Sequence, residues 1–237
     1  MLVDLCRGFV WLLIAGALGL FLAGWLKQAF LALLCRFLGP AVALGVYAML
    51  TLPGFFLHEG AHILVALALG VPVRGFTLIP RPDPEGLSAA VEVSPRGPIR
   101  MAAVALAPLL AGMAALALLT TIFPYDPGSS YPWMRLAAWP TSWRGSRAEF
   151  WFHLYLIWAI SSHMAPSRGD MVYVLRGAIA LPFLVLVGWG LARLFPNFLD
   201  PWNAICTRLG DGFALAAAGN AVCLLPVGLL LWATRGR

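Results

Sequence analysis

The sequence predicts an all-α polytopic membrane protein with about six transmembrane helices and a short membrane-associated β-hairpin. Hydrophobic residues make up 61% of the 237 positions and charged residues only 11%, whereas a soluble domain carries about 25% charged residues. The mean hydropathy is +0.86. The apolar residues also fall into runs long enough to cross a bilayer, which takes about 20 residues. We therefore expect a multi-pass integral protein of the cell membrane, with the lipid bilayer as its surroundings.

The same composition excludes several other classes of protein. A disordered chain, a coiled coil or a disulfide scaffold needs a different balance of residues. The formal net charge is +6, but the basic residues are scattered singly through apolar sequence, so we expect no nucleic-acid partner. The four cysteines show no metal-binding spacing and lie in or beside apolar stretches. We expect them to be free, buried thiols.

Six apolar stretches are candidate spans. They are Phe9–Phe30, Ala41–Leu69, Ile99–Phe123, Ala148–Ser162, Leu175–Phe195 and Gly212–Trp232. The first is too long for the apolar region of a cleaved signal peptide and is predicted to remain as an anchor. The second is long enough to bend, and Pro53-Gly54 is the expected bend point. An even number of spans, six, places both termini on the same side of the membrane. With the termini inside, nine basic residues lie on the inner side and seven on the outer side, and this excess favours that orientation.

The second span contains His58-Glu59-Gly60-Ala61-His62, an H-E-x-x-H pattern on a helix. Residues four apart lie on one helix face, so both imidazoles can reach one Zn²⁺. Glu59 lies beside the first histidine and is placed to take a proton from water. The chance expectation for this pattern in this composition is about 0.001. Ionisable residues inside a span are costly and indicate function; the alternative is a packed polar network without metal, such as an ion or proton path.

A catalytic zinc site needs a third protein ligand. The residues alone leave four candidates open: Asp170, Glu149, His153 and His163. Glu149 and His153 are four apart at the start of the fourth span, where they can pair with each other. Asp170 follows a segment that Pro166 and Gly169 break, and irregular backbone at membrane depth must be covered by protein or line a water cavity. A carboxylate at the end of such a segment suits a metal cavity.

The segment Val71–Val93 is predicted to form the hairpin. Apolar and β-branched residues flank a turn rich in Pro and Gly, which is typical of two paired strands. We expect the hairpin to dip beside the metal site, where its free edge can hold a substrate as an added extended strand. The alternative is a surface loop.

Three features in order resemble the site-2 protease family of intramembrane zinc metalloproteases. They are His58–His62 in a span, Val71–Val93 followed by Ala107-Pro108, and Pro166 followed by Asp170. The second is similar to the family's Ala-Gly-Pro stretch. The third is similar to its Asn-x-x-Pro…Asp-Gly motif, whose Asp is the third zinc ligand.

The resemblance implies that His58, His62 and Asp170 bind Zn²⁺ and that Glu59 is the general base. It implies one membrane metalloprotease domain over residues 1–237, with its core at 41–195, an additional N-terminal span at 9–30 and a C-terminal span at 212–232. The chain departs from the family where His163 replaces the usual Asn and Met171 replaces the Gly after Asp. The Pro-to-Asp spacing is also shorter, and a PDZ-like insertion is missing.

His163 has three possible roles at the sequence level. It can donate a hydrogen bond to the oxyanion of the reaction, act as a fourth metal ligand, or be a satisfied histidine at a helix end. A fourth ligand would leave no open position for water. We therefore expect the donor role, which makes His163 a second catalytic residue beside Glu59.

The expected function is zinc-dependent hydrolysis of peptide bonds in or near transmembrane segments of other membrane proteins. One alternative is a membrane metallopeptidase similar to the prenyl-protein proteases, with Glu149 as third ligand. The other is a zinc-binding membrane scaffold or a metal transporter without proteolysis. A transporter is expected to carry further His, Asp or Glu pairs along its spans, and the last two predicted spans carry none.

Overall fold

The computed structural model describes residues 2–76, 81–83, 86–88, 91–94, 96–122, 146–177 and 199–234. The elements, in chain order, are α1 (Leu2–Leu38), α2 (Pro40–Leu50), α3 (Leu52–Ala68), β1 (Val73–Phe76), β2 (Arg81–Asp83), β3 (Gly86–Ser88), β4 (Val91–Val93), α4 (Pro98–Ile122), α5 (Arg147–Ser161), α6 (Arg168–Gly177) and α7 (Leu199–Ala233). The described residues are mostly helical with one small β element, as the sequence predicts.

Three helical segments are long and apolar enough to cross a membrane, namely Gly8–Leu38, Pro98–Thr121 and Asp200–Ala233. The bent pair α2–α3 is a fourth if it forms one broken span. Helix α5, at the predicted fourth span, has 15 residues, fewer than the about 20 that a span needs. The predicted fifth span, Leu175–Phe195, lies outside the described residues from 178 onward. The described chain thus supports three or four spans, fewer than the six predicted.

The predicted second span consists of two helices that meet at an angle of 76°. The break falls at Thr51, two residues before Pro53. Proline has no N–H to donate to the carbonyl four residues earlier, and its ring clashes with that carbonyl, so α2 cannot continue into α3 as one regular helix. The Thr51 hydroxyl donates to the carbonyl of Tyr47 at 2.8 Å and so satisfies a group at the break. Gly54 is not the bend point. It allows α5 to approach, since a Cβ there would overlap the Ala159 carbonyl.

The hairpin is confirmed as two antiparallel pairs, with β1 beside β4 at its base and β2 beside β3 at its tip. Gly70, at φ +66°, ends α3 in the left-handed region that glycine tolerates. The Val71 amide then donates to the Ala66 carbonyl at 2.8 Å. The base of the hairpin packs on α4 through a cluster that includes Met101 and Val104. Strand β4 therefore lies against α3, the helix that carries the H-E-x-x-H residues.

Helix α4 packs against α3 on one side and α6 on another, and α1 and α7 pack along each other. A buried apolar cluster joins α4, α5 and α7, with Leu116, Ile157 and Phe213 among its members. Small residues let the long helices approach, as at Gly19, where a Cβ would lie 2.9 Å from the Phe213 carbonyl oxygen. This arrangement brings α3 and the start of α6 together beside α4.

Candidate metal centre

Helix α3 and the first turn of α6 bring three ligand-type side chains together. The ligand atoms of His58, His62 and Asp170 all lie within 4.8 Å of one another. The two histidine Nε2 atoms are 3.3 Å apart, and His62 Nε2 is 3.7 Å from Asp170 Oδ2. These are the three residues that the family resemblance implies as ligands.

The hydrogen bonds of the two histidine rings leave both Nε2 atoms free to bind a cation between them. His58 Nδ1 donates to the carbonyl of His163, and His62 Nδ1 donates to the carbonyl of Val104 at 2.9 Å. Because a carbonyl only accepts, the proton of each neutral ring is on Nδ1, and both Nε2 atoms present lone pairs. Two lone pairs facing each other at 3.3 Å repel unless a cation accepts both. Tetrahedral Zn–N bonds of about 2.0–2.1 Å separate two ligand nitrogens by about 3.3 Å, so the donor set fits zinc.

A helix cap fixes the position of Asp170. The Ser167 amide donates to Asp170 Oδ2 at 2.9 Å, and the Asp170 amide donates to Ser167 Oγ at 3.1 Å. This reciprocal pattern is a capping box, which orders the first turn of a helix. The sequence predicts Asp170 at the end of an irregular segment, whereas the structure places it in the first turn of α6. The capping box holds the carboxylate toward the histidine pair.

Glu59 lies in the same site as the three candidate ligands. Its side chain is only 5% exposed, and it contacts the backbone amide of Val91 in β4. A cavity of about 590 Å³ contains Glu59, both histidines and Asp170 among its lining residues. Side chains from α1, α3, β4 and α4 and from the segment 161–170 complete its wall. The carboxylate therefore faces a space large enough for water and a length of peptide.

The structure does not bring Glu149 or His153 to the histidine pair. Glu149 closes a capping box with Ser146 at the start of α5, with bonds of 2.6 and 3.2 Å, and His153 Nδ1 bonds the Glu149 carbonyl at 2.6 Å. The opposite end of α5 reaches the cavity at Ser161. Along the helix, Glu149 is 12 residues and His153 eight residues from Ser161, which corresponds to about 18 Å and about 12 Å. Among the described residues, Asp170 is thus the third ligand candidate beside the histidines.

His163 reaches the cavity, but it is not a member of the ligand group. Its backbone carbonyl orients His58, and its ring Nε2 lies 2.8 Å from Thr51 Oγ1. Because the Thr51 hydroxyl proton goes to the Tyr47 carbonyl, Thr51 accepts from the His163 N–H. The oxyanion-donor role stays a prediction, and it requires the ring to leave Thr51 when substrate binds.

We expect His163→Ala to keep its zinc, because the backbone carbonyl that orients His58 remains. If the ring donates to the oxyanion, the rate of hydrolysis falls by about 10²–10³-fold, the usual cost of one such donor. His163→Asn retains a donor and most of the rate. Zinc content and turnover of both variants are the measurements; zinc loss in the alanine variant would instead make His163 a ligand.

Sequence reasoning missed the two backbone carbonyls that orient the histidines, although a signal for one was present. Pro108 lies inside α4, and a proline has no N–H to donate to the carbonyl four residues earlier. That carbonyl belongs to Val104, which is the acceptor for His62. The interior proline thus leaves this acceptor for the metal site. In the sequence, Ala107-Pro108 is notable only for its similarity to the family's Ala-Gly-Pro stretch, which does not reveal this physical role.

We expect Pro108→Ala to weaken zinc binding while stabilising the helix. The new amide would donate to Val104 and compete with His62, and loss of such an orienting partner costs about 10–100-fold in metal affinity. Removing an interior proline relieves up to about 3 kcal/mol of helix strain, so the Tm should stay level or rise. Zinc titration and thermal unfolding measure the two effects. The matched control is Pro226→Ala in α7, and equal zinc affinity in both variants would contradict the assigned role.

Together, the fold and the site define a mostly helical protein that has helices of membrane-spanning length and a candidate His₂Asp metal centre. The metal centre lies in a cavity that also contains a buried glutamate. No family model matches the chain, and neither a curated protein nor a solved structure matches it.

Proposed function

We propose that the protein is a membrane-embedded zinc metalloprotease of the site-2 protease type, which hydrolyses peptide bonds in or near transmembrane segments. The observation that carries this proposal is the placement of Glu59 in one cavity with His58, His62 and Asp170. A scaffold or transporter needs the metal ligands, whereas hydrolysis also needs a base beside the bound water, which is the place that Glu59 takes. The alternative third ligand, Glu149, caps α5 instead.

In this proposal, each residue has one chemical task. The two imidazoles and the Asp170 carboxylate would hold a zinc ion, which would supply Lewis acidity toward a carbonyl and an activated water. Glu59 accepts the proton of the attacking water and passes it to the leaving amine nitrogen. The contact between Glu59 and the Val91 amide aligns the carboxylate with β4. Strand β4 and its partner provide the edge along which an extended substrate lies.

A six-span topology is part of the same proposal. It adds α5 and the apolar stretch Leu175–Phe195 to the three long helices and the bent pair, and it places Arg96 and Arg168 on the same membrane face. We expect a cysteine introduced at either position to react with a membrane-impermeant thiol reagent from one side only, and from the same side. Labelling from opposite faces would exclude six spans.

The experiment that tests the proposed function is metal-dependent cleavage in liposomes. The purified protein is reconstituted with a panel of transmembrane peptides that carry helix-breaking residues near the bilayer. We expect cleavage that a chelator stops and that added zinc restores. Zinc binding in the absence of any cleavage across the panel would favour the scaffold, and zinc uptake into the vesicles would favour the transporter.

A further inference from the structure

Helix α1 forms one wall of the cavity that contains the candidate metal centre. Four α1 residues line it, namely Leu20, Ala23, Gly24 and Lys27. Their spacing of three, four and seven residues places them on one face of the helix. Three of them are apolar or small, so Lys27 is the charged group that this wall contributes. The metal site as proposed above gives this ammonium group no task.

The surroundings of Lys27 leave its charge unpaired within the described part of the chain. The ammonium nitrogen lies 5.8 Å from the centre of the Tyr47 ring, a cation–π contact. The described residues place no carboxylate within ion-pair distance of it. A half-buried lysine inside a candidate span is costly and indicates function. It is therefore available to an anion that enters the cavity.

The lining of the cavity indicates what that anion is. Its two carboxylates, Glu59 and Asp170, lie with the histidine pair, where a bound cation would face them, and neither is within ion-pair distance of Lys27. The positive charge of the ammonium group on the α1 wall is therefore left for a group that the substrate brings. The backbone of a peptide is neutral and cannot compensate it. A carboxylate on a substrate side chain can, and the attraction is strong where water is scarce.

We propose that Lys27 forms a carboxylate subsite, so that the cavity selects peptides with an Asp or Glu side chain near the scissile bond. This inference rests on the proposed peptidase function and names a substrate class for it. Lys27 is then a specificity-determining residue on the wall that α1 contributes to the cavity. Its cation–π contact with Tyr47 holds the ammonium group at the cavity wall until the carboxylate binds.

The test is binding of peptide hydroxamates to the zinc-loaded protein, which needs no turnover. Paired peptides carry Glu or Gln at successive positions beside the zinc-binding hydroxamate. At one position we expect the Glu peptide to bind the wild type about tenfold more tightly than its Gln partner. Lys27→Met should abolish this preference without changing the affinity of the Gln peptide, and Lys27→Arg should retain it. Arg36→Met is the matched control, because Arg36 is an exposed basic residue of the same helix.

Charge reversal guards against a variant that merely disturbs the fold. Lys27→Glu should prefer peptides with Arg at the position where the wild type prefers Glu. Equal binding of every Glu and Gln pair, or a preference that survives in Lys27→Met, would overturn the subsite and leave the peptidase proposal standing. An equal loss of affinity for the Glu and the Gln peptide in Lys27→Met would also overturn it. Lys27 would then contact the backbone that the two peptides share and not the carboxylate. Failure of all hydroxamates to bind the zinc-loaded wild type would overturn the peptidase function itself.

Discussion

Glu59→Gln is expected to abolish hydrolysis while the protein keeps its zinc. The amide has nearly the shape of the carboxylate, and its side chain stays buried beside β4, but it cannot accept the proton of the attacking water. Loss of a general base costs about 10²–10⁴-fold in rate. Both imidazoles and Asp170 remain, so zinc content should match the wild type. Turnover of a transmembrane peptide and metal analysis on the same preparation measure the two quantities.

The matched control for this prediction is Glu92→Gln. Glu92 lies in β4 next to the Glu59 contact, but its side chain is exposed, so neither zinc content nor rate should change. If Glu59→Gln retained a rate within a few-fold of the wild type, Glu59 would not be the base. If it lost zinc, the carboxylate would belong to the ligand set instead.

Removal of a ligand is expected to have the opposite signature, namely loss of the metal. His58→Ala, His62→Ala and Asp170→Ala each delete one of the donor atoms that lie within 4.8 Å of one another. Loss of an orienting partner alone lowers metal affinity by about 10–100-fold, and loss of a ligand should cost at least as much. Zinc titration with a competing chelator provides the affinity of each variant.

Glu149→Ala and His153→Ala are the controls for the ligand variants. Neither residue belongs to the group of ligand atoms around the histidine pair, so zinc affinity should be unchanged. Glu149→Ala should still lower the free energy of unfolding by about 1 kcal/mol, because it removes half of a capping box. Zinc loss in Glu149→Ala combined with full zinc in Asp170→Ala would show that the third ligand is misassigned.

The parts of the site that the sequence predicts are those encoded in local spacing. His58 and His62 meet because four residues are about one helical turn, and the Pro- and Gly-rich turn predicts the hairpin. From the residues alone, Asp170 is one of four candidates, and only the family resemblance implies it as the third ligand. Its capping box with Ser167 is a local pattern that is readable in the sequence, as is that of Ser146 with Glu149.

The parts that the sequence does not predict depend on packing between distant segments. Lys27 lies on a span that the sequence treats as an addition to the core at 41–195, and only helix packing brings it into the cavity. The backbone carbonyls of Val104 and His163 do not depend on the residue type, so the sequence does not mark them as acceptors. Only Pro108 gives a signal, because it leaves the Val104 carbonyl without its helical donor. The position of the bend follows from backbone sterics at Pro53. The apolar residues continue across the break, so the hydropathy pattern does not show it.

The measurement that tests the central claim most directly is isotope incorporation during cleavage. Zinc-loaded protein in liposomes is incubated with a transmembrane peptide in water enriched in heavy oxygen, and the products are analysed by mass spectrometry. Hydrolysis predicts one heavy oxygen atom in the new carboxyl terminus with the wild type and with Glu92→Gln, and no product with Glu59→Gln. Product formed equally by Glu59→Gln, or none from the zinc-loaded wild type across the peptide panel, would contradict the account.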